Sequence, residues 1–191
     1  MKKGLLILLS GPSGVGKGTV RRQVFKDKSL NLVYSISMTT RKPRAKEIDG
    51  VDYYFVSEEK FLEGIKNDDF LEHAVFVGNH YGTPKSKIEN LRNLGKNVFL
   101  EIEVEGAKQV LSKYENDSGV VSIFLLPPSL DELEKRIRGR RSEEEEIIQE
   151  RLNKAKREMG LKDQYQHVVL NDDITRASEE IKEIIHSRLN K

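Results

Sequence analysis

The chain of 191 residues contains no cysteine, which excludes both a disulfide framework and a thiolate metal site and suits a reducing compartment. It has no long apolar run either. The opening MKKGLLILLSG sets two lysines before apolar residues, as a secretory signal does. Leu5–Leu9 is only five residues, however, and glycines and charges follow at once. A membrane span needs about 20 such residues. The stretch is therefore predicted as a buried first strand, and the chain as cytoplasmic and without a membrane partner. An excess of one charge is also missing, since 33 Lys and Arg oppose 31 Asp and Glu. Non-specific nucleic-acid binding needs cations over a whole face, so no nucleic-acid partner is expected. Repeats and low-complexity linkers are absent, and the length suits a single domain with excursions.

Continuous apolar runs are present at Leu5–Leu9, Leu32–Ile36, Asn97–Ile102, Val120–Leu126 and His167–Leu170. Continuity, rather than alternation, is the mark of parallel strands covered on both faces. Helical patterns fall between or after them, over Gly16–Asp27, Glu58–Asn67, Lys85–Asn93, Val104–Tyr114, Leu130–Arg138, Glu143–Met159 and Ala177–Leu189. The alternation predicts a doubly wound α/β core. Residues 37–84 and 128–158 break it. The first is rich in Thr, Tyr and Gly, with strand-like pieces at Tyr53–Val56 and Ala74–Val77; the second is dominated by Arg and Glu. Both read as excursions from a core of 1–36, 85–127 and 159–191.

Gly11-Pro12-Ser13-Gly14-Val15-Gly16-Lys17 follows a predicted strand and opens a predicted helix, the context of a phosphate-binding loop. Its glycines let backbone N–H groups curve around an anion, the helix start adds partial positive charge, and Lys17 reaches the outer phosphates. Yet Gly18 stands where such loops carry Ser or Thr. Thr19 supplies the nearest hydroxyl, and reads equally as a phosphate or metal-shell contact and as an ordinary first-turn residue. Magnesium sheds water reluctantly, so an ion held mainly by phosphates and waters would tolerate the glycine.

A second informative stretch is Ser35-Ile-Ser-Met-Thr-Thr-Arg-Lys-Pro-Arg44, then Glu47 and Asp49-Gly-Val-Asp-Tyr-Tyr-Phe55. With the loop, and with Phe70-Leu-Glu72, Gly78-Asn-His-Tyr-Gly-Thr83, Glu101-Ile-Glu-Val-Glu-Gly106, Arg136-Ile-Arg-Gly-Arg140 and Asn171-Asp-Asp173, it resembles the guanylate kinase family from Leu5 to about Asp173. The resemblance implies a P-loop-containing parallel sheet flanked by helices, an inserted GMP-binding segment at 37–84 and a helical lid at 128–158. It also implies transfer of the γ-phosphoryl group of ATP to GMP, with Mg²⁺.

The family likeness puts Arg41, Arg44, Tyr53 and Tyr81 on the GMP phosphate. Two guanidinium forks flanking the stiff Pro43 suit such a clamp, whereas tyrosines in strand-like pieces serve a core equally well. It puts Glu72, Ser37 and Thr83 on the base. Guanine offers N1–H and an N2 amino group side by side, which one carboxylate accepts together; adenine offers a bare lone pair there. Ser37 and Thr83 would complete the edge, including O6. Glu101 is expected at the GMP base or ribose and Glu103 at the magnesium water shell, although the family commonly has Asp at both places. Arg136, Arg140 and Arg151 are implied on the ATP phosphates and the transferring group, while Arg138, Arg141 and the Glu143–Glu146 run read as a solvated hairpin. Asn171 would meet adenine by the same analogy, or serve simply as a turn residue.

The attacking atom would be an anionic phosphate oxygen, so no general base is needed, and the lack of a Ser–His–Asp set is expected. Two other functions remain to be tested against this one. A guanylate-kinase-like module could bind phosphopeptides without catalysis, which the intact loop and lid arginines oppose. A kinase for AMP is opposed by Glu72. Oligomeric state is not legible.

Overall fold

The computed structural model describes residues 2–76, 78–139 and 144–190. Five strands form one parallel sheet in the order β2-β7-β1-β8-β9: β1 Leu6–Ser10, β2 Leu32–Tyr34, β7 Asn97–Glu101, β8 Val120–Leu126 and β9 His167–Leu170. These are the five predicted runs. β2 stops two residues early, at Tyr34, where the chain leaves the sheet for the first excursion.

β1 shows why the runs are continuous. Ile7 and Leu9 pack toward α1 (Lys17–Val24) and α7 (Ile174–Leu189), while Leu6 and Leu8 pack under α3 (Lys85–Asn93) and α4 (Val104–Lys113). All four are fully buried. With both faces covered, successive positions of the strand are apolar from Leu6 to Leu9, and truncating any one to Ala would cost about 2–5 kcal/mol. Among the described residues, no helix is long and apolar enough to cross a membrane.

A second, four-stranded sheet is built within residues 38–84. Its order is β4-β3-β6-β5, from β3 Met38–Thr39, β4 Tyr54–Phe55, β5 Phe70–Phe76 and β6 Asn79–Pro84. The strand-like piece ending at Val77 lies in β5 up to Phe76; Val77 itself is outside the described residues. α2 (Glu58–Lys66) precedes β5 and is capped by Ser57, whose hydroxyl accepts the Lys60 N–H. Phe61 on α2 stacks on Phe70 at 4.4 Å and on His80 at 5.3 Å, closing this sheet's own small core.

A helical hairpin, α5 (Leu130–Arg138) and α6 (Glu145–Met159), packs around Leu133, Ile137, Ile148 and Ala155. One large buried side chain escapes sequence reading. Arg92 is fully buried beneath the parallel sheet, its Nε donating to the Gly4 carbonyl at 2.9 Å. Its other nitrogens pair with Glu89 at 3.0 Å and Asp117 at 2.9 Å. Removing one partner of so enclosed a cluster costs about 3–5 kcal/mol.

Candidate active site

The loop between β1 and α1 lies at the carboxyl edge of the parallel sheet, where open α/β sheets bind ligands. Its path places three glycines at positive φ, Gly11, Gly14 and Gly16. Gly11 has φ +143°, and a Cβ there would sit 2.4 Å from the Leu125 carbonyl oxygen. Gly16 has φ +102° and caps α1 without a side chain, which leaves the first-turn N–H groups facing the loop's hollow. Lys17 Nζ donates to the Gly11 carbonyl at 2.6 Å and the Pro12 carbonyl at 3.2 Å. Burial holds this ammonium below its ordinary pKa, and the charges of Glu101, Glu103 and Glu158 pull it back up.

Other predicted residues close over the loop. A Cβ at Gly14 would touch Ile137 and Leu133, so α5 rests directly on it. Arg136 donates to the Val15 carbonyl at 3.3 Å and the Asn171 carbonyl at 3.2 Å, and Arg151 donates to the Ser13 hydroxyl at 3.0 Å. Asn171 is buried, with its amide nitrogen 2.7 Å from the Val15 carbonyl and its Oδ1 without a hydrogen-bond partner. The residue that family analogy sends to adenine thus has its amide donor engaged in bracing the loop. A cavity of about 720 Å³ lies alongside, lined by Gly16, Thr19, Arg136 and Asn171–Thr175. Arg140, and Arg141 beside it, lie outside the described residues.

Gly18 faces a second cavity of about 410 Å³, with Lys17, Thr19, Glu101 and Glu103 on its walls. A Cβ at Gly18 would meet the Glu101 carboxylate at 3.6 and 3.8 Å and Arg22 Nη1 at 4.0 Å. Thr19 Oγ1 accepts a bond from Arg22 at 3.1 Å. Glu101, expected at the GMP base or ribose, lies on the wall of this cavity. Its carboxylate is paired with Arg21 Nε at 2.9 Å and turned to α1, and Arg21 lies 4.1 Å over the Tyr34 ring. The side chain therefore borders the phosphate-side cavity, and its longer reach relative to Asp is taken up by that ion pair. Glu103 pairs instead with Lys154 of α6 at 2.7 Å, and its charge raises the pKa of Glu72. Glu158, buried on α6, has a raised pKa from desolvation, opposed by Lys154 and Lys17.

The second cluster lies on the small sheet. β6 pairs with β3 in the register Met38↔Gly82 and Thr39↔Tyr81, and one further step sets Ser37 opposite Thr83. On the other side the β5–β6 register slips between Phe70↔Pro84 and His73↔Gly82, so that Leu71 and Glu72 together oppose Thr83. Ser37, Thr83 and Glu72 thus form a row across three strands. The Thr83 hydroxyl donates to Glu72 Oε1 at 2.6 Å. The hydroxyl proton of Thr83, which with Ser37 is expected on the guanine edge, is thus engaged by Glu72 in this structure. Burial raises the Glu72 pKa, the Thr83 bond lowers it in part, and no cation pairs with it among the described residues.

Farther along the same sheet, Arg41 lies 5.5 Å over the Tyr53 ring, and Tyr53 meets Tyr81 edge-on at 6.0 Å. Glu47 organises the group. One oxygen takes Arg41 at 2.8 Å and the other accepts the Arg44 N–H at 2.8 Å. Arg44 itself is exposed. Sequence reasoning quoted Glu47 without giving it a role; its spacing three residues beyond Arg44 was the one signal available. Arg21, Lys154 and Glu158 carry no sequence signal at all.

The comparisons with known proteins agree with this arrangement. A family model described as guanylate kinase matches residues 3–188. A guanylate kinase from Mycoplasma capricolum subsp. capricolum is 54% identical over 97% of this chain and 62% of its own length. The chain therefore spans about three fifths of the Mycoplasma protein. One from Bacillus cereus is 53% identical over 96% of this chain and 88% of its own. The crystal structure of guanylate kinase from Anaplasma phagocytophilum superposes with a TM-score of 0.75 at 34% identity, covering all of this chain and 88% of that one. A loop built for phosphates, an acidic row across a small sheet and relatives of this closeness lead to one placement: the chain belongs to the guanylate kinase family.

Proposed function

We propose that the chain transfers the γ-phosphoryl group of ATP to GMP, giving ADP and GDP. The observation that carries the reading is Glu72. A largely enclosed carboxylate with one hydroxyl donor and no cation among the described residues needs further donors, and guanine N1–H and its N2 amino group supply two on one edge. Adenine would place a lone pair against the same oxygen.

The remaining roles follow from position. The Gly11–Lys17 loop and the start of α1 hold the ATP phosphates, with Arg136 and Arg151 reaching the loop from the hairpin. Arg41 and Arg44, set by Glu47, hold the GMP phosphate with Tyr53 and Tyr81. A GMP phosphate oxygen attacks the γ-phosphorus; the new P–O bond forms as the bond to the β–γ bridging oxygen breaks, and ADP leaves. At neutral pH ATP carries about four negative charges and GMP about two. Lys17 and the arginines offset that repulsion, which exclusion of water would otherwise enlarge. Residues 37–84 serve as the acceptor segment and 128–158 as the lid, so the full set of cations assembles on closure.

The residues fit a magnesium ion held chiefly by the nucleotide. Among the described residues no group of three or more His, Asp or Glu could hold a metal. Thr19 and Glu101 border the phosphate-side cavity and can accept bonds from its water shell, with Glu103 on the same wall. When bound, the ion would supply positive charge that offsets the charge of the ATP phosphates. The reaction belongs in the cytoplasm, where both nucleotides are found, and requires neither membrane nor nucleic acid.

The test is a panel of acceptors. With ATP and Mg²⁺, GMP is expected to yield GDP while AMP yields little ADP beyond background. Equal use of AMP, or no GDP from folded protein, would overturn the reading; the latter result would favour a phosphopeptide-binding module.

A further inference from the structure

β5 is the outer strand of the small sheet, and one of its sides has no neighbouring strand. At His73 a side chain from α4 fills that side. Gln109 Oε1 accepts the His73 N–H at 3.1 Å, and Gln109 Nε2 donates to the His73 carbonyl at 3.1 Å. The amide supplies the donor and acceptor that a further strand would bring. Only one orientation of the amide satisfies both bonds.

Gln109 does not act alone on α4. A Cβ at Gly106 would lie 3.0 Å from Glu72 Oε2 and 2.8 Å from Ile102, so only glycine lets the Glu72 carboxylate lie against the helix. Lys113 donates to the Phe70 carbonyl at 2.6 Å and pairs with Asp68 at 2.6 Å. Gly106, Gln109 and Lys113 fall at i, i+3 and i+7, on one helix face. They seat Glu72, His73 and Phe70 in turn. The clasp also comes directly after the bulge that sets Leu71 and Glu72 against Thr83. A bulged edge strand is where register is least secured by its own ladder, and a one-residue slip would turn Glu72 to the opposite face.

We infer that Gln109 is a positioning residue for base selection. It touches no nucleotide. By holding His73 it keeps β5 in the register that brings Glu72 to both donors of guanine, and it ties that register to the helix that begins beside the phosphate-side cavity. The inference rests on the GMP-acceptor reading above.

Gln109→Met keeps the length and bulk of the side chain and removes both bonds. The kinetic comparison uses GMP and inosine monophosphate, which lacks only the N2 amino group, with the wild-type chain and the variant. The wild-type chain is expected to prefer GMP. In the variant that preference should fall about tenfold, equivalent to about 1.4 kcal/mol, through a higher KM for GMP. KM for ATP and kcat should stay within about twofold, a split that general loosening of the fold would not give. A second measurement needs no variant. Hydrogen exchange on the wild-type chain should show the His73 amide as protected as the β5 amides paired to β6. A wild-type preference for GMP that survives in Gln109→Met, or a His73 amide exchanging like an exposed loop, would overturn the role of Gln109 alone. Absence of any GMP preference in the wild-type chain would instead remove the acceptor reading, and this inference with it.

Discussion

In the phosphate loop the groups that face a ligand belong mainly to the backbone; in the small sheet they belong to side chains drawn from distant positions. The loop's shape is set by consecutive residues, with Gly11 pressed on the Leu125 carbonyl and Gly16 opening α1. Glu72, Thr83 and Ser37 converge only because three strands pair in one particular register. Arg41 and Arg44 are set by a carboxylate, Glu47, which itself touches only neighbours in a loop. A site of backbone donors is rigid and indifferent to what the phosphates are attached to. A site of side chains chooses. The chemistry proposed here needs both, and substitutions should separate them.

The largest effect should come from the loop. Lys17→Ala removes the one side-chain cation within the nest, and kcat should fall about 10³-fold while GMP binding stays nearly intact. Turnover like that of the wild-type chain would remove the loop from the mechanism.

Next comes the residue that chooses. Glu72→Gln keeps the acceptor for Thr83 but presents an amide where guanine needs a second acceptor, and kcat/KM for GMP should fall about 10²-fold. Ser37→Ala should cost much less. Glu72→Gln should also stabilise the nucleotide-free fold by about 1 kcal/mol, since it removes a largely enclosed charge that no cation among the described residues pairs with. Wild-type pH profiles should show the matching opposition. The folded pKa of Glu72 is raised above its ordinary value of 4.5, so the folded state holds the extra proton between the two values. Its contribution to stability is therefore greatest below the ordinary value and is lost as pH rises through the raised one. GMP affinity should run the other way and improve over that same rise. Melting and KM curves measured at closely spaced pH values would expose parallel slopes if Glu72 were not the group responsible.

A smaller loss should follow from loosening the clamp rather than the chooser. Glu47→Gln leaves both arginines in the chain but keeps a single acceptor oxygen, so it can serve Arg41 or the Arg44 N–H and not both, and it removes the charge that orients Arg41. KM for GMP should rise about tenfold with kcat changed by no more than a few-fold. An unchanged KM would show that Arg41 and Arg44 are oriented by the ligand itself.

The two regions differ in the same way when read from sequence. Gly11–Lys17 is legible because seven adjacent residues carry its geometry, and the core strands because burial of the inner ones on both faces makes their runs largely apolar. β3 and β4 are two residues each, too short for any period to register. Arg92 reads as surface charge on a helix, since its i, i+3 pairing with Glu89 suits an exposed face equally well and nothing nearby in the chain announces Gly4 and Asp117 as partners. The places of Glu101 and Glu103 likewise depend on Arg21 and Lys154, which lie 80 and 51 residues away from them in the chain. Motif resemblance names the residues of such a site; contacts across elements decide what each one does.

Gly18 gives the finest test of the contrast, because it sits in the backbone-built half yet faces a side chain. A Cβ at this position meets the Glu101 carboxylate and the tip of Arg22, all at ordinary contact distances, so Gly18→Ser fits without moving the backbone. Serine is also better than glycine in a helix by a few tenths of a kcal/mol. The new hydroxyl would point toward Glu101, which is already engaged by Arg21. If the metal is carried by the nucleotide and its waters, adding this donor should change kcat by no more than about threefold and leave the requirement for Mg²⁺ concentration unaltered. A marked fall in the Mg²⁺ needed for half-maximal rate would mean that the hydroxyl enters the metal's shell, and that the glycine is a real deficit rather than a permitted substitute.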